Sequence, residues 1–129
     1  MEVIDDPPTS GDQRRGQPTS FSPPEFSVRI SPSDRQVVVA VSGEVDAHTG
    51  PMLQEQLNEL IAAHDNLSVV VDFGSVGFID SSGLAALVSA HKLATAKGGA
   101  LSLSQPSRQV RKVLEITGLD RVVHVTDAS

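Results

Sequence analysis

Leu67-Ser68-Val69-Val70-Val71-Asp72-Phe73 is a short apolar run rich in β-branched residues, and it reads as a strand. Three consecutive valines, with no polar residue between them, predict a central strand of a parallel sheet. Both flanks read as helix. Upstream, Leu53, Leu57, Leu60 and Ile61 recur at i, i+4, i+7 and i+8, which makes one apolar stripe. Thr49 is a candidate N-cap for that helix, with Gly50 and Pro51 in its first turn, and Asn66 is its stop. Downstream, a loop over residues 74–80 leads into a second helix over residues 82–97. Leu84, Leu87, Val88 and His91 share one side of that helix, and Gly98-Gly99 closes it.

Further out the alternation continues. Residues 100–104 form the next strand, and Pro106 opens a third helix whose Val110, Val113, Leu114 and Thr117 share a face. Gly118-Leu119 has the pattern of a Schellman ending, and residues 121–125 read as a last short strand. On the amino-terminal side, Phe26, Val28 and Ile30 alternate with Ser27 and Arg29, the period of a half-buried strand. A turn at Ser31-Pro32-Ser33-Asp34 joins it to a second strand over residues 36–42. The Val37-Val38-Val39-Ala40-Val41 run there predicts burial on both faces. The order is β-β-α-β-α-β-α-β, and the fold class is α/β. A mixed, mostly parallel sheet with an N-terminal antiparallel hairpin carries helices packed against it, in one domain over residues 25–129. Residues 1–24 hold five of the eight prolines, among Ser, Thr, Gly and Gln, and read as a disordered tail.

Composition narrows the function. A formal charge of −6 disfavours nucleic acid as a direct partner, because phosphate neutralisation needs clustered Lys and Arg. No apolar run approaches the roughly 20 residues that span a bilayer, and the first residues lack an export signal, so the expected setting is cytoplasmic, without membrane contact. With no cysteine there is no thiolate ligand or nucleophile, and with no Trp or Tyr there are few stacking platforms. No metal site and no cofactor are expected.

The segment that carries chemistry is Phe78-Ile79-Asp80-Ser81-Ser82-Gly83-Leu84, where a loop enters a helix. Asp80 or Ser81 can cap the first turn, and capping alone is a sufficient role for such a triplet. The same geometry also suits a modified hydroxyl. A phosphate at a helix N-terminus meets unpaired N–H groups and the positive end of the dipole, so the fold tolerates it. A partner docked over the turn does not, since the added charge falls beside Asp80. Catalysis is disfavoured: the turn lacks the Gly-x-Ser-x-Gly elbow, and His91 lies about 15 Å along the helix from Ser81. Asp72 ends a strand as in a receiver domain, but the acidic cluster that would hold Mg²⁺ there is missing.

Together with Gly43-Glu44-Val45-Asp46 and Thr49, this segment resembles the STAS-domain anti-sigma factor antagonists of bacteria, over about residues 25–125. The chain departs from the family's two motifs only by Val45 for Leu. The resemblance implies partner switching. An unphosphorylated antagonist binds an anti-sigma factor that is also a Ser/Thr kinase of the ATPase type, and so frees a sigma factor. Phosphorylation of the first serine of the turn, here Ser81, ends the complex, and a phosphatase restores it; Ser82 is the second candidate acceptor. Such a protein is a kinase substrate and not an enzyme. The implied partner-binding residues are Glu44, Asp46, His48, Thr49, Asp80, Ser81, Ser82 and Gly83, with Gly83 giving clearance to the docked partner. Many relatives carry a helix after the last strand, and none is read here; the long Pro-rich leader is also unusual, and a monomer is expected. The alternative is a STAS scaffold or ligand-binding module of a transport or stress complex, in which Ser81 is only a cap.

Overall fold

Residues 25–33 and 36–126 are described in the computed structural model. The segment 1–24, read as a tail, lies outside them. Two antiparallel strands open the domain, β1 (Ser27–Ser33) and β2 (Gln36–Val45). Three helix–strand units follow: α1 (Gly50–Ala62) with β3 (Ser68–Ile79), α2 (Ser81–Ala96) with β4 (Ala100–Ser104), and α3 (Arg108–Thr117) with β5 (His124–Thr126). The five strands lie in the order β1-β2-β3-β4-β5, all parallel from β2 onward. A strand order that advances in one direction, through crossovers of one hand, puts all three helices on the same face of the sheet.

That one-sidedness corrects the expectation that the valine runs are buried on both faces. Val37, Val39 and Val41 of β2 are buried, whereas Val38 and Ala40 between them are half-buried. In register, Val39 stands beside Val71 and Leu103, and the row faces Leu53, Leu57, Leu87, Val110 and Leu114 of the helices. Phe73, fully buried two residues beyond Val71 on β3, is the largest side chain of an otherwise aliphatic core.

Strand β3 runs on to Ile79, through residues expected to form a loop. Its pairing with β2 is irregular between Ala40 and Ser42 and again between Gly43 and Glu44. At each irregularity β3 carries one extra residue, a bulge that adds twist and re-aims the side chains beyond it. The buried positions of β3 accordingly fall at 69, 71 and 73, and then at 76 and 79. The second bulge turns Ile79 back into the core beside Val45.

Two boundaries further along the chain also differ from expectation. Helix α3 begins at Arg108, because Ser107 caps it by accepting the Val110 N–H at 3.3 Å, and Pro106 precedes the cap. Leu119–Arg121 form a 3-10 turn, so β5 starts only at His124. Gly118 supplies the left-handed residue that ends α3, at φ 78°, as its pattern implied.

Candidate functional site

Parallel strands β2 and β3 finish together, with Val45 paired to Ile79 and the Asp80 N–H donated to the Val45 carbonyl at 3.1 Å. The two motifs singled out in the sequence, some 35 residues apart, therefore meet at the carboxyl end of the sheet. Loops at the carboxyl ends of parallel strands are a common place for functional groups in α/β sheets.

The first motif folds into a hydrogen-bonded knot. Asp46 Oδ1 accepts the His48 N–H at 2.9 Å and the Thr49 N–H at 3.0 Å. Thr49 Oγ1 donates to the Glu44 carbonyl at 2.6 Å and accepts the Asp46 N–H at 2.9 Å. Thr49 thus occupies the N-cap position of α1 without capping it: its hydroxyl is turned back into the loop and gives the helix no bond. The Thr49 N–H, and after it the His48 N–H, hold the Asp46 carboxyl below the ordinary aspartate range. A carboxyl depressed in the folded state contributes stability above its unfolded pKa and loses it as pH falls through the folded value. Acid should therefore release the His48 and Thr49 amides together, with a midpoint below that of an ordinary aspartate. An NMR pH titration following those two amides checks this, and Asp46→Ala should abolish the shared transition.

In the second motif, Asp80 is the cap. Its backbone is extended, at φ −120° and ψ −166°, and its Oδ1 accepts the Ser82 N–H at 2.8 Å and the Gly83 N–H at 3.3 Å. Ser81 is released from that duty. It is the first residue of α2, it is exposed, and its hydroxyl bonds to none of the described residues. Ser82 is half-buried, and a Cβ added to Gly50 would lie 2.9 Å from the Ser82 carbonyl carbon. The amino ends of α1 and α2 press together there, over Ser82 and away from Ser81. Asp80→Ala removes the acceptor of two amides and should cost about 1 kcal/mol, read as a lower urea midpoint at unchanged m-value.

The remaining expected site residues divide. Glu44 and His48 are exposed at the rim of the knot, and Thr49 is half-buried within it. Gly83 faces inward: it is buried, and a Cβ there would stand 2.5 Å from Ile79 Cγ1 and 2.7 Å from Val45 Cγ1. Its missing side chain makes room for the sheet, which corrects the expectation of clearance for a docked partner. The apolar stripe of α2 is corrected as well. The buried face is Gly83, Ala86, Leu87, Ala90 and Ala94. Leu84 and Val88 are only half-buried, and they line an open trough of about 740 Å³ that starts at Ser81 and includes Leu93 and Lys92. Helix α2 is apolar on two faces and covered on one.

One contact had no sequence signal. Gln109 of α3 reaches the end of β3, where its Oε1 accepts the Ile79 N–H at 3.2 Å. Among the described residues no three acidic or histidine side chains gather in metal-binding geometry, and no helix is long and apolar enough to cross a membrane.

The model of the STAS domain family matches residues 25–129. Over 91 residues the chain is 31% identical to the anti-sigma F factor antagonist of Paenibacillus polymyxa, covering 70% of this chain and 78% of that one. A crystal structure of an anti-sigma factor antagonist from Mycobacterium paratuberculosis superposes with a TM-score of 0.73 at 25% identity, over 81% of this chain and 87% of that one. The Bacillus cell fate determinant SpoIIAA in its phosphorylated form shares the fold, with a TM-score of 0.62 at 23% identity, over 80% of this chain and 92% of that one.

Proposed function

This chain belongs to the STAS-domain family, and from that membership we propose that it is an anti-sigma factor antagonist switched by phosphorylation of Ser81. The observation that carries the reading is a division of labour at one turn. Asp80 does the capping, while Ser81 stands exposed beside it with an uncommitted hydroxyl. Capping alone would leave no reason to favour the neighbouring hydroxyl; with the cap assigned to Asp80, Ser81 is open to a kinase. Relatives named as antagonists of anti-sigma factors, and a protein of this fold solved in a phosphorylated form, support the same reading.

In this scheme the unphosphorylated chain binds an anti-sigma factor that is also a Ser/Thr kinase of the ATPase type, and the sigma factor is released. The partner covers Ser81, the rim residues Glu44 and His48, and the apolar trough along Leu84 and Val88. Transfer forms a bond between Ser81 Oγ and the γ-phosphorus of ATP. The bridging bond to the β-phosphate breaks, ADP leaves, and the hydroxyl proton passes to solvent or to a base of the kinase. The phosphate then sits at the amino end of α2, where the positive end of the helix dipole accommodates it. Against the partner it adds close to two negative charges beside Asp80, Asp46 and Glu44. The domain keeps its fold and the complex is lost. A phosphatase removes the phosphate and returns the chain to the binding form.

The test is affinity capture from native lysate with the full chain as bait, comparing Ser81→Ala with Ser81→Asp. Retention of an ATPase-type anti-sigma factor by Ser81→Ala and its loss by Ser81→Asp is the expected result. Identical partners on both baits would make Ser81 part of the helix start only, and the chain a scaffold module. Phosphopeptide mapping of the wild-type chain after incubation with the captured kinase and ATP should find the phosphate on Ser81 and not on Ser82.

A further inference from the structure

Ile79 is the last residue of β3 and directly precedes the cap and the acceptor serine. The Asp80 N–H points to β2, where it bonds to Val45. Backbone groups alternate in direction along a strand, so the N–H and C=O of Ile79 point the other way, toward β4. Among the described residues no strand stands there to receive them. The pairing of β3 with β4 ends at Asp72 and Ser104, well before Ile79. A half-sheet edge left open in this way exposes one donor and one acceptor at the root of the Ser81 turn.

Gln109 fills the gap from α3. Its Oε1 accepts the Ile79 N–H at 3.2 Å, and its Nε2 stands 3.5 Å from the Ile79 carbonyl as donor. A primary amide carries the same donor and acceptor as a peptide group, so one side chain acts as one residue of the absent strand. Gln109 is itself anchored. It is the second residue of α3, between the Ser107 cap and the buried Val110. Ile79 packs under Gly83 and leads into Asp80, whose carboxylate holds the Ser82 and Gly83 amides.

We propose that Gln109 is a positioning residue for the Ser81 turn, and that α3 uses it to hold the end of β3, and through it the Asp80 cap, in place. Its link to switching rests on the reading of Ser81 given above. The brace itself does not, and its test needs neither kinase nor partner.

The experiment is amide hydrogen exchange by NMR on the full chain, comparing wild type with Gln109→Met and Gln109→Glu. Methionine keeps the length and loses both bonds; glutamate keeps the acceptor and loses the donor. In Gln109→Met, exchange at Ile79 should rise about tenfold, as for loss of one net hydrogen bond. The rise should spread to Ser82 and Gly83 at about threefold or more, while Val69 and Val71 in mid-strand stay as in wild type. Gln109→Glu should restore Ile79 to within about threefold of wild type, because its carboxylate still accepts that N–H. An unchanged Ile79 rate in Gln109→Met overturns the proposal. So does a rise confined to Ile79, which would make Gln109 a local filler of one strand end. If both baits of the capture experiment retain the same partners while this pattern holds, the brace stands and the phospho-switch falls.

Discussion

Ser81→Asp is expected to lose its anti-sigma partner by about a hundredfold or more in affinity, while the domain melts at or slightly above the wild-type temperature. The two readouts move in opposite directions for one reason. Within the domain the new carboxylate sits at the first position of α2, at the positive end of the helix dipole, where a negative charge is worth roughly 0.3–1 kcal/mol. In a domain of this size that is a rise of a few degrees. Across an interface the same charge must be desolvated beside Asp80, with Asp46 and Glu44 nearby, which costs several kcal/mol. About 3 kcal/mol suffices for the hundredfold loss. Isothermal titration against the captured partner, with calorimetric melting of the free chain, measures both. Phosphoserine should exceed aspartate in both effects, since it carries close to twice the charge. A Ser81→Asp chain that binds like wild type removes the electrostatic basis of the proposed switch, and one that binds weakly because it is unfolded shows itself in the melting curve.

Gly83→Val should be the most damaging conservative-looking change at the site, and its damage should be to folding. Gly83 is in the first turn of α2, and a Cβ at that position falls within 3 Å of three side-chain carbons from the ends of two strands. Two of those are γ-carbons close to the backbone, at 2.5 Å on Ile79 and 2.7 Å on Val45, so neither can swing away freely. Overpacking a dense core typically costs about 1–3 kcal/mol, and valine adds two methyls to the carbon that already clashes. Gly83→Ala is the finer measurement. Its helix-propensity gain of up to about 1 kcal/mol opposes the clash, and the net should still be a loss because α2 can retreat only by lifting from Val45 and Ile79. Urea denaturation of both variants decides it: midpoints should fall in the order wild type, alanine, valine. A more stable Gly83→Ala would show that the helix rides free of the strand ends.

Helix α1 was legible because Leu53, Leu57 and Ile61 of its stripe are buried, with Leu60 half-buried at the margin, while Met52, Glu55 and Glu59 on its other side are exposed among the described residues. The same reasoning misplaced Leu84 and Val88, since α2 is apolar on two faces and periodicity cannot say which face meets the sheet. Residues 74–79 were unreadable as strand because two bulges replace the two-residue period with steps of three, from 73 to 76 and from 76 to 79. Thr49 and Asp80 looked alike as caps. Only Asp80 serves, because the Thr49 hydroxyl is engaged by Glu44 and Asp46 across the loop.

The residues alone determined the element order, the aliphatic core and the two motifs, because these depend on local periodicity and on turn chemistry within a few neighbours. Tertiary structure decided what the motifs are to each other. Pairing Val45 with Ile79 joins turns distant in sequence, bulges in β3 aim Ile79 inward, and Gly83 is emptied of its side chain to fit there. The open end of β3 selects Gln109 from α3, although nothing in the sequence around Gln109 marks it. Contacts of this kind are set by where strands stop, a property of the assembled sheet and of no single segment.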